Sequence, residues 1–193
     1  MANLLLRKSR ESVSYDEQCE VMLIQLYERV RYVRYGEKLN FTPSERTSLR
    51  LSWNAWIGGN PSQRGFQMFL RMFKSHPETQ LAFEFAKGSS LAYLQNSSRL
   101  LFHVNRVVKY IGKVIENLDS PEEVVPVLLQ LGAMHGPRRF NVPSGYFPHL
   151  GVAMRELMRE SLGNWTEDLN KLWDELYQWI IQRLIEGQQR VES

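Results

Sequence analysis

Two histidines, His103 and His135, sit where a helix turns its apolar side chains inward. His103 heads a run with Val107, Ile111, Val114 and Leu118, and His135 closes one with Val124, Leu128 and Leu131, both at helical spacing. A single imidazole in such a stripe reads as a core residue with a hydrogen-bond partner. Two of them on consecutive helices, aimed into surroundings rich in Phe, Val and Leu, point to ligands sharing one apolar slot. A zinc site would need further His, Asp or Glu on the same faces, and the stripes offer none. Cys19 is the only cysteine, which excludes a cysteine cluster and an intramolecular disulfide. The chemistry that wants imidazole in an apolar slot is ligation of haem iron. The other histidines, His76 before Pro77 and His149 after Pro148, read as structural or surface residues.

The elements that must position this pair are helices throughout; no period-2 strand and no internal repeat stands out. Tyr15 to Tyr35 places Cys19, Met22, Leu23, Leu26, Val30 and Val33 on one face and Arg29, Arg31 and Arg34 mostly elsewhere. Such a basic amphipathic helix is expected to dock on its own domain, with a partner or a membrane surface as the other occupants. Thr42-Pro43-Ser44-Glu45 is a helix start: Thr42 caps, Pro43 loses no donor at the first position, and Glu45 completes a capping box. Leu49, Trp53 and Trp56 then form a stripe that Gly58-Gly59 ends. Pro61 opens the next helix, with Phe66, Phe69, Leu70 and Phe73 inward, until His76-Pro77 breaks it. A short helix from Pro77 to about Phe83 and an irregular stretch lead to the helix of His103, expected from about Asn96 to Leu118. Ser120 and Glu123 suggest a second capping box starting the helix of His135, with Pro126 expected to bend its first turns and Gly136-Pro137 ending it. Two further helices are expected, from about Ser144 to Leu162 and from Thr166 to about Gln189. Phe147, Leu150, Met154 and Leu157 line the first of them. Leu169, Leu172, Trp173, Leu176, Ile180 and Leu184 line the second.

The composition fits this picture. The chain has 193 residues, 43% hydrophobic and 23% charged, which suits one soluble domain with an appended element. Its formal net charge of +3 is too small for the one-signed field of a dedicated nucleic-acid binder, so no nucleic-acid partner is expected. No apolar run is long enough to span a membrane, and the single cysteine favours a reducing, cytoplasmic setting. The sequons at Asn96 and Asn164 are read as chance. No nucleophile–base motif or phosphate loop occurs, so an enzyme is not expected.

The ordered set of residues resembles a known family. Pro77-Glu78-Thr79-Gln80-Leu81-Ala82-Phe83 is similar to the globin segment in which a proline starts a short helix and a phenylalanine packs on haem. Phe69 precedes it at the position that looks onto the distal side. His103 then matches the distal histidine, Val107 the distal aliphatic residue and His135 the proximal histidine, while Trp53 resembles the tryptophan of the first globin helix. Phe69, the interval from His103 to His135, and Leu162-Gly163 look most like neuroglobin and other animal nerve globins. The chain departs from the pattern in its residues ahead of the core, in Pro126, and in Pro137 and Pro143 after the proximal histidine.

The resemblance implies an all-α globin fold, a three-over-three helical sandwich. Residues 42–190 would form the globin domain, 1–41 an extension with the amphipathic helix, and 191–193 a tail. It implies haem b (iron protoporphyrin IX) held by His135 below and His103 above. Phe69, Phe83, Val107, Leu131, Val142 and Phe147 would serve as walls, with Arg106 near a propionate. Arg138 and Arg139 would act beside the other propionate, on a docking surface, or as a solvated basic turn. Iron filled by two imidazoles suits electron transfer or sensing of oxygen or another diatomic gas, with a redox or signalling protein as partner. The alternatives are a five-coordinate oxygen carrier, with His103 hydrogen-bonding the gas, and a haem-free scaffold of the same fold.

Overall fold

Helices begin where the sequence supplies a partner for their first free N–H groups. In this computed structural model, which describes residues 39–190, α1 (Pro43–Ile57) opens on the expected capping box. The Glu45 carboxylate accepts from the Thr42 amide at 2.7 Å, and the Glu45 amide donates to Thr42 Oγ1 at 3.3 Å. Asn60 caps α2 (Pro61–Ser75), Ser97 caps α4 (Ser98–Glu116), and the Leu169 amide donates to Thr166 Oγ1 at 3.1 Å at the start of α7 (Glu167–Arg190). A 3-10 turn (Pro77–Ala82) and a one-turn helix α3 (Leu91–Leu94) connect α2 to α4. The helix of His135, α5, spans Val125–His135, and α6 spans Phe147–Ser161 behind a 3-10 turn, Ser144–Tyr146. Among the described residues there is no strand, and no helix is long and apolar enough to cross a membrane.

Among the described residues the seven helices form two layers of three, α1, α4 and α5 over α2, α6 and α7, with α3 in the connection. Trp53 stacks obliquely on Trp56 and Trp173 at 5.8 and 6.0 Å, and the Trp173 indole donates to Ser52 Oγ at 3.0 Å, which locks α1 to α7. Burying rings of this size contributes about 2–3 kcal/mol each. Gly65 lets α2 cross α4 closely, since a Cβ there would overlap the Val104 side chain. The tightest crossing is between α5 and α7. A Cβ on Gly132 would overlap the Leu184 carbonyl, and one on Gly187 would overlap the Leu129 carbonyl. Main chain meets main chain there, so α7 fixes the height of the helix that carries His135.

Three expectations change. Ser120 makes no side-chain cap; residues 121–123 form a 3-10 turn and the α-helix starts at Val125. Pro126 therefore lies in the first turn, where its missing N–H is no loss. On α4 the core face is Leu100, Val104, Val108, Ile111 and Ile115, all 6% exposed or less, while His103 and Val107 are only half-buried. Apolar residues flank both faces of that helix, so periodicity alone did not separate the core stripe from the cleft stripe. The helix expected between Tyr15 and Tyr35 lies outside the described residues, as do Cys19 and the 191–193 tail.

Candidate functional site

His103 stands one helical step away from the core face of α4 and meets a wall of phenylalanines. Its ring lies edge-on to Phe69 of α2 at 5.3 Å and to Phe83 at 5.2 Å. Phe83 in turn packs on Phe69, Phe73 and Phe85 at 6.0, 5.6 and 5.7 Å. The proline-initiated turn places Phe83 here: it caps the 3-10 helix in extended geometry, its amide donating to the Gln80 carbonyl. Burial, helped by the charges of His135 and Arg106, pushes the His103 imidazole down to about 3, so the ring is neutral at pH 7. Among the described residues nothing hydrogen-bonds that ring. A half-buried imidazole walled by phenylalanines leaves its ring nitrogens available to a ligand.

His135 ends α5 because Gly136 and Pro137 cannot continue the helix. Its Nδ1 lies 2.6 Å from the Leu131 carbonyl oxygen. A carbonyl only accepts, so Nδ1 carries the hydrogen and the lone pair of the neutral ring is on Nε2. Burial lowers the His135 pKa and Arg106 adds to that, while the bond to Leu131 works against them. The result is a neutral imidazole locked in the tautomer that a metal ligand needs.

The two rings face each other across a narrow gap, with centres 6.3 Å apart and planes inclined by 64°. Imidazole nitrogen binds a first-row metal at about 2.0–2.1 Å, which puts ring centres on opposite sides of one ion about 6 Å apart. The observed separation matches that span. Phe83 and Phe147, which pack on the two rings, are half-buried rather than sealed, as are Val107 and Leu150 beside the Phe69–Phe73 cluster and Leu131 and Val142 beside His135 in the chain. Phe147 lies 5.7 Å from His135. A slot of this kind, with broad apolar walls and two imidazoles aimed across it, fits a flat apolar group carrying a metal at its centre. Arg106 lies one turn from His103 on the same helix and acts electrostatically on both histidines, which suits an anionic edge on that group. Of the residues singled out in the sequence, ring contacts bring together His103, His135, Phe69, Phe83 and Phe147; Val107 packs on the neighbouring Phe69–Phe73 cluster, and Leu131 and Val142 meet His135 through their backbone. Arg138 and Arg139 instead lie exposed on the turn after α5.

Two contributors carried no recognisable signal in the sequence. Phe140, in the stretch read as a basic turn, packs on His135 at 6.1 Å. Gln188, buried near the end of α7, donates to the His135 carbonyl at 3.1 Å and to the Val142 carbonyl at 2.9 Å. The Val142 amide also donates to the His135 carbonyl at 2.9 Å. Together these bonds tie the end of α5, the following corner and α7 into one unit. A glutamine on an otherwise amphipathic helix has no spacing that would reveal this role.

Fold and site together define an all-helical protein built around an opposed pair of neutral imidazoles in an apolar slot. The profile of the family described as "Globin" matches residues 67–184, well over half of the chain. The chain belongs to the globin family. It is similar to the globin "major polymeric component P1" of Glycera dibranchiata, at 28% identity over 154 residues, covering 78% of this chain and 99% of that protein. It is also similar to cytoglobin-2 of Danio rerio, at 28% identity over 137 residues, covering 70% of this chain and 75% of that protein. A crystal structure described as a hexacoordinated haem protein from an anhydrobiotic tardigrade superposes with a TM-score of 0.68 at 19% identity. It covers 78% of this chain and 96% of that one, a likeness that shows the shared fold.

Proposed function

We propose that this globin binds haem b through His135 and His103 at once and serves in electron transfer or in sensing oxygen or another diatomic gas. The observation that carries the reading is the 6.3 Å separation of two half-buried, neutral imidazoles, one with its Nδ1 hydrogen already committed. Haem, when bound, would supply an iron centre that changes oxidation state and accepts imidazole nitrogen or a diatomic gas. His135 is the fixed ligand, held by the Leu131 carbonyl on its ring and by Gln188 and Val142 on its backbone. His103 is the displaceable one. Only phenylalanine edges hold its ring, so its departure breaks no hydrogen bond to the described residues. Phe69, Phe83, Val107, Leu131, Val142 and Phe147 would wall the group from water, and Arg106 would pair with a propionate.

A gas must then compete with His103, so apparent affinity falls in proportion to the fraction of molecules with that ring swung away. With both nitrogen ligands in place, little rearrangement would be required between oxidation states, which suits exchange of an electron with a protein partner. Residues 42–190 suffice for the haem unit in this reading, and the single cysteine, Cys19, is consistent with a reducing, cytoplasmic setting. Carbon monoxide binding after rapid mixing tests the proposal. A phase that saturates with carbon monoxide concentration, and vanishes in His103→Leu, is expected. Single-phase binding that rises linearly with concentration in the parent protein would return the reading to an open-site oxygen carrier.

A further inference from the structure

Away from the slot, the two remaining histidines are brought together although they are far apart in the sequence. His76 caps the end of α2 and His149 stands in the first turn of α6; their rings stack at 3.6 Å with planes inclined by 21°. Glu78 joins them, its Oε1 3.3 Å from His76 Nδ1. One ligand atom from each of the three residues lies within 4.8 Å of the other two. Both imidazoles are half-buried and the carboxylate is exposed, so the cluster opens to solvent.

The backbone holds these groups in place. Pro77 follows His76, whose φ of −135° and ψ of 73° lie outside helical geometry. The His76 carbonyl accepts from Thr79 Oγ1 at 2.6 Å and from the Thr79 amide at 3.0 Å, and Thr79 itself is buried. His149 follows Pro148, which is fixed at the start of α6. Two ligands thus project from rigid main chain on different elements, and the third comes from the 3-10 turn that links α2 onward.

We propose that His76, Glu78 and His149 bind a divalent metal ion of the zinc kind, separate from the haem slot. Two imidazoles and a carboxylate are the donor set of three-ligand zinc sites that leave one position to water. Bonds of about 2.0–2.2 Å require ligand atoms roughly 3.3–3.6 Å apart; His76 Nδ1 and Glu78 Oε1 already stand at 3.3 Å, within a set spread over at most 4.8 Å. Rotating two half-exposed rings out of their stack and turning one exposed carboxylate closes that distance without moving the main chain. The bound ion would clip the end of α2 to the start of α6. Those helices carry Phe69 and Phe147, so the clip would brace two walls of the slot.

Zinc chloride titrated calorimetrically into the full-length, haem-loaded chain tests this. One ion per chain is expected, with a rise in melting temperature as ligation favours the folded state. Single His76→Ala and His149→Ala variants should each weaken binding by about tenfold or more, and Glu78→Gln by less. The Soret band should stay unchanged in all three. Zinc content after desalting gives an independent count. Absence of binding by the parent chain, or unchanged binding by the His76→Ala/His149→Ala double variant, would overturn the site and leave the rings as a packing contact. Neither outcome bears on the haem reading, whose spectrum is recorded in the same samples.

Discussion

Adding one methyl group at Gly187 should reach the proximal histidine through the backbone. In Gly187→Ala the new carbon would overlap the Leu129 carbonyl oxygen and stand 2.7 Å from the Leu129 carbonyl carbon and 3.0 Å from the Gly132 Cα. Comfortable carbon–carbon separations are about 3.5–4.0 Å, so α5 and α7 must part by about 1 Å. The offending atoms are main chain in the middle of helices and cannot swing aside as a side-chain tip would. Overpacking of this kind costs about 1–3 kcal/mol, and two opposed backbones place it at the upper end. For a domain of this size, that lowers the melting temperature by roughly 6–12 °C. Because α5 carries His135, the variant should also lose haem faster to an acceptor protein. Gly132→Ala should behave alike, and the double variant should cost little more than the worse single change, since parting the helices once relieves both clashes. Circular-dichroism melts and haem-transfer rates check this. A Gly187→Ala protein that melts within about a degree of its parent and keeps its haem as long would refute the claim that the crossing sets the height of His135.

Three further outcomes are expected. His135→Ala should fail to retain haem, read as loss of the Soret band after gel filtration; normal haem content would remove His135 from the site. Gln188→Leu deprives the His135 and Val142 carbonyls of a donor. It should destabilise the chain by about 1–3 kcal/mol in urea unfolding, whereas an unchanged midpoint would show the clamp to be idle. In the haem-free chain both site histidines are held below the ordinary value of 6.5, His103 at about 3. Acid therefore protonates the unfolded chain first. Stability should be full above about pH 7 and fall as pH drops from 6.5 toward 3, by up to about 1.4 kcal/mol per unit for His103, with His135 adding in the same direction. Urea midpoints between pH 8 and pH 4.5 measure this, and His103→Leu should flatten the slope; equal slopes in the two proteins would count against a half-buried, neutral His103.

Much of the fold was readable because its determinants are local. The Thr42–Glu45 capping box, the Trp53–Trp56 stripe and the stop at Gly136-Pro137 each depend on residues within a turn or two of one another. The histidine pair was readable because an imidazole on an apolar stripe violates the helical pattern, and violations of that kind concentrate at functional sites. Long-range features left no such trace. The contact of Gly132 with Leu184, the reach of Gln188 to His135, and the stacking of His76 on His149 join residues whose separation in sequence follows no period. Ser120 shows the opposite failure: it has the residue types of a capping box, but the chain turns through a 3-10 helix and the side chain caps nothing.

The central claim is that His103 and His135 both bind iron in the resting protein. The visible absorption spectrum of the ferrous chain without added gas tests it most directly. The 6.3 Å separation of the rings predicts a low-spin spectrum with sharp, split visible bands, converted to a high-spin form by His103→Leu. A broad high-spin spectrum in the unaltered ferrous protein would contradict it, leaving a globin with His135 alone on the iron.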